Sequence, residues 1–511
     1  MKGSHANRLL NSLICCTVII IGGCVTVPDA HYIDALKPGP GGPCFATGIK
    51  VCEVDSNSAI VWARLTKNPK PAERNAPFPI IRYQDPKTKE FSKSFNRRKS
   101  TVWKPVVQFK AGTNIETVAG AAPGATGQVR VLYRNKGGKW KGTSWREVDP
   151  EKDFTAQFPL KCLRPDSRYD VVVQGRTSAD ADDGSLIKGG FRTAPSADQA
   201  SRVVFTVSTG QAYNHRDSDE GYKIYPSILK IDPSFFVHTG DIVYYDGLGK
   251  NADLARYHWA RTYSLPTNVD FHRQVSSYFI KDDHDTFMDD CWPTMETTYM
   301  GDLTFEQGQA IFREQVGMGE KTHRTIRWGK DLQIWLMEGR DFRSPNPMPD
   351  GPEKTIWGKK QKAWFKRTVE TSDAAFRILI SPTPIVGPDR DNKRDNHSNK
   401  NFQHEGDEIR DFIAQQDNMI VVCGDRHWQY VSEDRRTGVR EYSCGPASDK
   451  HAAGWKPKDR RPEHKFLAVR GGFLSVTVER ENDIPTMILR HHSVDGVIRN
   501  EETYVANEEL Q

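Results

Sequence analysis

Three short apolar runs in this chain each break abruptly into acids and histidine. Phe235-Phe236-Val237-His238-Thr239 opens onto Gly240-Asp241, and Tyr278-Phe279-Ile280-Lys281 onto Asp282-Asp283-His284-Asp285. Met419-Ile420-Val421-Val422-Cys423 opens onto Gly424-Asp425-Arg426-His427. Such a run reads as a buried strand whose C-terminal end carries chemistry at the edge of an α/β sheet. Asp and His are ligands for hard and borderline divalent metals, and several such ends can converge on one site. The pattern points to metal-dependent hydrolysis.

The rest of the chain divides around these runs. From Cys44 to Thr193 the strand-like segments Ala59–Leu65, Gly127–Tyr133 and Tyr169–Gln174 are punctuated by Gly, Pro, Asn and Asp, as in a β-sandwich. The polar, basic stretch from Pro69 to Val102 reads as an insertion. At Arg202 the pattern changes to strands alternating with helices, with helical spacing over Tyr222–Ile231, Lys359–Thr371 and His404–Gln415. The reading is residues 1–24 as signal peptide, 25–43 as linker, 44–195 as a β-sandwich and 200–511 as a layered α/β domain.

Glycine lets the backbone turn where Asp241 leaves its strand. Four consecutive acidic or imidazole groups at Asp282–Asp285 would repel one another if packed without a cation. Asp395-Asn396-His397, with His404 and Glu405 beyond, adds a further ligand-rich loop. No Gly-x-Ser-x-Gly elbow or phosphate-binding P-loop occurs, which disfavours a serine hydrolase or a nucleotide-driven motor.

The order of these segments resembles the metallophosphoesterase superfamily and, within it, the alkaline phosphatase D (PhoD-like) family. Gly240-Asp241-Ile242-Val243-Tyr244 is similar to its Gly-Asp-x-x-Tyr segment. Asp282-Asp283-His284-Asp285 resembles its Trp-Asp-Asp-His-Glu motif, with Lys281 and Asp285 as departures. Arg324–Gly329 and Met337–Arg343 resemble two further family stretches. The resemblance implies a four-layer α/β metallophosphoesterase sandwich preceded by an immunoglobulin- or fibronectin-like all-β domain. It implies that Asp241 bridges two metals, that Tyr244 ligates one, and that Asp283 serves the second with Asp282 as helper. His284 would contact the phosphoryl group or protonate the leaving group, and Asp425 and His427 would complete the site. Asp395 and His397 sit where the family has a further acidic ligand loop. Two or more divalent ions are expected, with calcium, manganese, iron and zinc all open.

Metal chemistry of this kind lowers the pKa of a bound water from 15.7 to about 7, which supplies hydroxide near neutral pH. Arg340, Arg343 and Arg426 are candidates for a clamp on the phosphoryl oxygens, since guanidinium matches phosphate geometry. The expected substrate is a phosphate monoester or diester, small or polymeric; a sulfate ester stays open. One departure counts against full activity. The family's first strand ends in Ser-Cys-Gln, whereas Ser208-Thr209-Gly210-Gln211 offers no ligand there. His215, Asp217 or Asp219 in the next loop could substitute. The competing reading is a catalytically degenerate surface lipoprotein that binds an anionic ligand.

Lys2 and Arg8 precede the apolar stretch Leu9–Ile21, followed by Gly22-Gly23-Cys24. This has the regions of a secretory signal and is short for a membrane span. Ile-Gly-Gly-Cys is similar to a bacterial lipobox, which would place a lipid on Cys24 and the protein in the cell envelope, exported and membrane-anchored. In an exported chain Cys44 with Cys52, or Cys423 with Cys444, could form disulfides. The net charge of +6 over 511 residues is small, and the basic runs Lys93–Lys99 and Lys456–Lys465 are solvated loops without a nucleic-acid module. No protein partner is implied.

Overall fold

A computed structural model describes residue 33 and residues 41–92, 102–181 and 184–506. The proposed signal, Cys24, most of the linker and the basic run at 93–99 lie outside the described residues. Among the described residues no helix is long and apolar enough to cross a membrane.

The apolar runs become strands of two large mixed sheets, one of nine strands and one of seven. In the first, Val203–Ser208, Phe235–His238 and Ser277–Phe279 run parallel. In the second, Leu332–Leu336, Phe376–Ser381 and Met419–Cys423 do the same. Every residue of Val203–Ser208, Phe235–His238 and Met419–Cys423 is buried, as parallel strands covered on both faces require. Parallel pairing brings the C-terminal ends of neighbouring strands to one edge, and this is what gathers the acid-and-histidine ends.

The sheets pack face to face, with Phe205, Val237, Tyr278 and Val476 meeting Ile334, Ile378, Ile380 and Val422 in one core. Phe235 sits at its centre, stacked on Phe205 at 4.7 Å and tilted against Trp328 at 4.6 Å. Helices Gly358–Glu370 and Gln403–Ile413 cover one outer face by burying Phe365, Val369 and Ile409 with Trp335, Leu379 and Val421. Ile224–Leu229 and Pro266–His272 cover the other through Ile224, Ile228 and Phe271 against Phe236 and Phe473. The layers run helix, sheet, sheet, helix.

In the N-terminal region, the ladder Ile49–Cys52, Ala59–Arg64 and Thr155–Leu160 faces the ladder Gln128–Asn135, Arg168–Arg176 and Ser185–Arg192. Val51, Val61, Phe158, Val131, Val171 and Val173 form the core between them. The change of pattern at Arg202 is not a break in the structure, however. Ile49–Cys52 lies parallel to Ser277–Phe279 with Cys52 opposite Ser277, so the N-terminal ladder completes the nine-stranded sheet. Buried Lys50 seals the junction: its Nζ donates to the Gln315 carbonyl at 3.0 Å and lies over the rings of Trp62 and Tyr263. The polar stretch after Pro69 supplies Ile80–Gln84, paired with Lys104–Gln108.

The six cysteines among the described residues are free, so neither disulfide permitted by the sequence forms. Cys444 Sγ instead donates to the Cys423 carbonyl across adjacent strands.

Phe235→Ala removes the ring that both sheets close around. It should cost about 3–5 kcal/mol, read as a lower urea midpoint in equilibrium unfolding.

Candidate metal centre

The strand ends approach so closely that only glycine fits between two of them. A Cβ on Gly240, where φ is +105°, would lie 2.5 Å from the Asp282 Cβ. Asp241 and Asp425 follow their strands with φ of +56° and +58°, a left-handed turn that aspartate tolerates better than most residues. These turns aim Asp241, Asp283, His284, Asp425 and His427 into one cleft of about 340 Å³. His427 Nε2 lies 3.1 Å from Asp241 Oδ2, and the Tyr244 hydroxyl donates to the same oxygen at 3.1 Å.

The four-residue run 282–285 separates into distinct tasks. Asp282 is wholly buried and accepts from Arg340 Nε at 2.6 Å. Asp285 accepts from the backbone N–H groups of Ile242 at 3.0 Å and Asp282 at 2.6 Å, tying the second strand end to the first. Lys281, one of the two departures from the family pattern, is a buried cation between Glu338 at 2.7 Å and Asp341 at 2.6 Å. Asp283 is the acid of the run that turns to the cleft, steadied by the N–H groups of His284 at 2.9 Å and Asp290 at 2.6 Å. His284 Nδ1 is 2.8 Å from Asp246 Oδ1.

This donor set fits a divalent cation. Ligand atoms of Asp241, Asp283 and His284 lie within 4.8 Å of one another, and Asp283 forms a second such group with Asp289 and Asp290. Asp241 Oδ1 is buried with no hydrogen-bond partner, a costly arrangement for a carboxylate that a cation would relieve. Burial pushes the Asp241 carboxyl up to about 7, with Asp283 adding to the shift. Burial acts on Asp283 in the same sense, but Arg340, His284 and Lys393 outweigh it and hold that carboxyl below its usual range. Burial, then His284 and Arg426, lowers His427 to about 3, which keeps an imidazole lone pair available.

Several expected site residues are placed elsewhere. Arg340, Arg343 and Arg426 are all buried and committed: Arg340 to Asp282, Arg343 to the Asp395 carbonyl and Asn346, Arg426 to Asp389 at 2.7 Å and to Asp425. None of them is placed to clamp a substrate. Asp282 spends its charge on Arg340 and is not a free metal helper. His397 is buried against Glu405, 2.9 Å away, and edge-on to Trp357. Asp395 is buried near Lys393 and Arg426. Neither lines the cleft. Asp217 accepts from Ser448 and Asp219 pairs with Arg216, so neither replaces the ligand absent at Gly210.

The cations that do line the cleft are Arg390 and Lys393, from the loop after Phe376–Ser381. Lys393 Nζ is 2.7 Å from Asp290, which partly neutralises the second acid group. The run Asp389–Asp395 mixes three acids with three cations, and nothing in that mixture marks which cation faces inward. Asp289 and Asp290 follow the 282–285 run closely enough to have been included with it. His451, from a distant turn, also reaches the site: its Nε2 is 2.5 Å from the Tyr244 hydroxyl.

Two mixed sheets packed face to face, with carboxylates and imidazoles at the ends of their parallel strands, are the arrangement of a metallophosphoesterase-type protein. Residues 205–455 match the family model described as PhoD-like phosphatase, and that segment is a PhoD-like phosphatase domain. A solved structure of PhoD superposes with a TM-score of 0.68 at 14% identity, over 92% of each chain. A purple acid phosphatase from yellow lupin (Lupinus luteus) seeds gives 0.60 at 11% identity, over 91% of this chain and 74% of that one. These likenesses establish the fold. No curated protein matches the sequence.

Arg340→Met would leave Asp282 buried without its partner and should cost about 3–5 kcal/mol in urea unfolding. A clamp on substrate would instead raise KM at unchanged stability.

Proposed function

We propose that the chain is a metal-dependent phosphoesterase that hydrolyses phosphodiesters, phosphomonoesters or both outside the cytoplasm. One observation carries the reading: Asp241, Asp283 and His284 hold their ligand atoms within 4.8 Å of one another in a cleft that Arg390 and Lys393 also line. Asp241, Tyr244, Asp283, Asp425 and His427 would hold the ion or ions, with calcium, manganese, iron and zinc all compatible with oxygen and imidazole ligation. A bound divalent cation supplies an acidified water and charge neutralisation at the phosphoryl oxygens.

The protein's own groups do the rest. Arg390 and Lys393 face an anionic substrate across the cleft and oppose its charge. His284 is tied through Nδ1 to Asp246, which leaves Nε2 to meet the ester and to deliver a proton to the departing oxygen. Asp283 is fixed by two backbone N–H groups, so its position does not depend on substrate. The basic and apolar segment ending at Cys24 supports export with lipid attachment, and the arrangement of N-terminal ladders supports an immunoglobulin-like domain ahead of a four-layer sandwich. The competing reading, a surface lipoprotein that binds an anion without turnover, draws on the absent ligand at Gly210.

Bis-nitrophenyl and nitrophenyl phosphate separate the two. The phosphoesterase should turn over at least one of them, lose activity to a chelator and regain it with added divalent metal. Asp283→Ala should lower kcat by ~10²–10³-fold, while Lys393→Ala should chiefly raise KM. No turnover with any divalent ion, together with no metal by elemental analysis, leaves only the binder. Lipid attachment is read separately: Cys24→Ser should release the protein from the membrane fraction.

A further inference from the structure

The strand Val203–Ser208 ends at Gly210 without a ligand, yet the space beside that glycine is filled. A Cβ on Gly210 would lie 3.0 Å from the His451 ring and 3.1 Å from that of His427. Gly210 itself turns with φ of +47°. The two imidazoles occupy the volume that a side chain at this strand end would claim, with ring centroids 4.1 Å apart.

His451 is delivered there by a docked loop. Thr209 N–H donates to the Gly445 carbonyl at 3.3 Å, and Ala447 N–H donates to the Gly210 carbonyl at 3.0 Å. The turn Asp449–His451 follows, capped by Ser448, whose side chain accepts from Lys450 N. Asp449 accepts from the Gly471 N–H at 2.8 Å, and Ser448 donates to Asp217 at 2.8 Å. His451 Nε2 then stands 2.5 Å from the Tyr244 hydroxyl, which is 3.1 Å from Asp241 Oδ2 and 3.3 Å from His427 Nε2. The other ring nitrogen, Nδ1, is 2.6 Å from His215 Nδ1. When His451 carries the proton of that pair on Nδ1 and His215 accepts it, Nε2 of His451 keeps its lone pair, the tautomer that a metal ligand needs and that an outer imidazole commonly fixes.

We propose that His451, oriented by His215, is a metal ligand that replaces the one absent at Gly210, joining Asp241, Tyr244 and His427 around one divalent ion. The inference rests on the phosphoesterase reading above, and it predicts a complete first ion position where the strand sequence alone suggests a vacant one. The shared protons that now hold Tyr244, Asp241 and the imidazoles together would be displaced as the ion binds, so binding releases protons.

Cobalt(II) titration of the full chain, followed by visible absorption and by elemental analysis after gel filtration, tests this without recourse to activity. The wild type should retain one cobalt ion more per chain than His451→Ala. His451→Gln, which keeps a polar side chain without the ring nitrogen, should behave as His451→Ala does. His215→Gln should weaken binding by ~10–100-fold at unchanged stoichiometry. If folded His451→Ala and His451→Gln keep the full complement at wild-type affinity, His451 is a packing residue and the inference is overturned. A wild type that binds no ion overturns the phosphoesterase reading itself, a distinguishable result.

Discussion

The site depends on one buried guanidinium. Asp241, Asp282, Asp283 and Asp285 crowd the meeting point of two strand ends, and four carboxylates there could not all stay charged beside one another. Arg340 takes the charge of Asp282 from below, and backbone N–H groups absorb Asp285. Of these four, Asp241 and Asp283 are left facing the cleft, where a cation can use them. Arg340 therefore acts by deciding which carboxylates are left over, and it does so without reaching the cleft itself.

The parts of the site that sequence reveals are those tied to a strand. Asp241, Asp283, His284, Asp425 and His427 each follow an apolar run within a few residues, and parallel pairing then carries them to a common edge. Side chains from long loops escape this logic. Arg390 and Lys393 lie in a run of mixed charge where each group has an equal claim to solvent, and only the fold of the loop selects the two that line the cleft. His451 stands alone beside Lys450, over two hundred positions from the strand end it abuts, so no spacing connects them. Arg340 and Arg426 show the opposite failure: residue type and neighbourhood suit phosphate binding, but complete burial against Asp282 and Asp389 commits them to the framework.

The layered architecture was legible for the same reason as the strand-end residues. Their apolar runs marked Phe235–Thr239 and Met419–Cys423 as buried strands. The boundary at Arg202 was legible only as a change of pattern, because strand pairing across that point depends on Ile49–Cys52, a short segment with nothing in its composition to name its partner.

That shared pairing has a consequence for how the chain can be divided. The segment that matches a known family begins at residue 205, which marks a unit of inheritance. The hydrogen-bonded sheet does not begin there. Cut free at that point, the strand Ser277–Phe279 would become a bare edge, with unpaired backbone groups open to pairing with any passing chain, and Tyr278 and Arg324 would lose their partners Val54 and Glu53. The unit that folds is larger than the unit that is recognised, and the strand that carries Asp283 is held straight by a neighbour from outside the recognised domain.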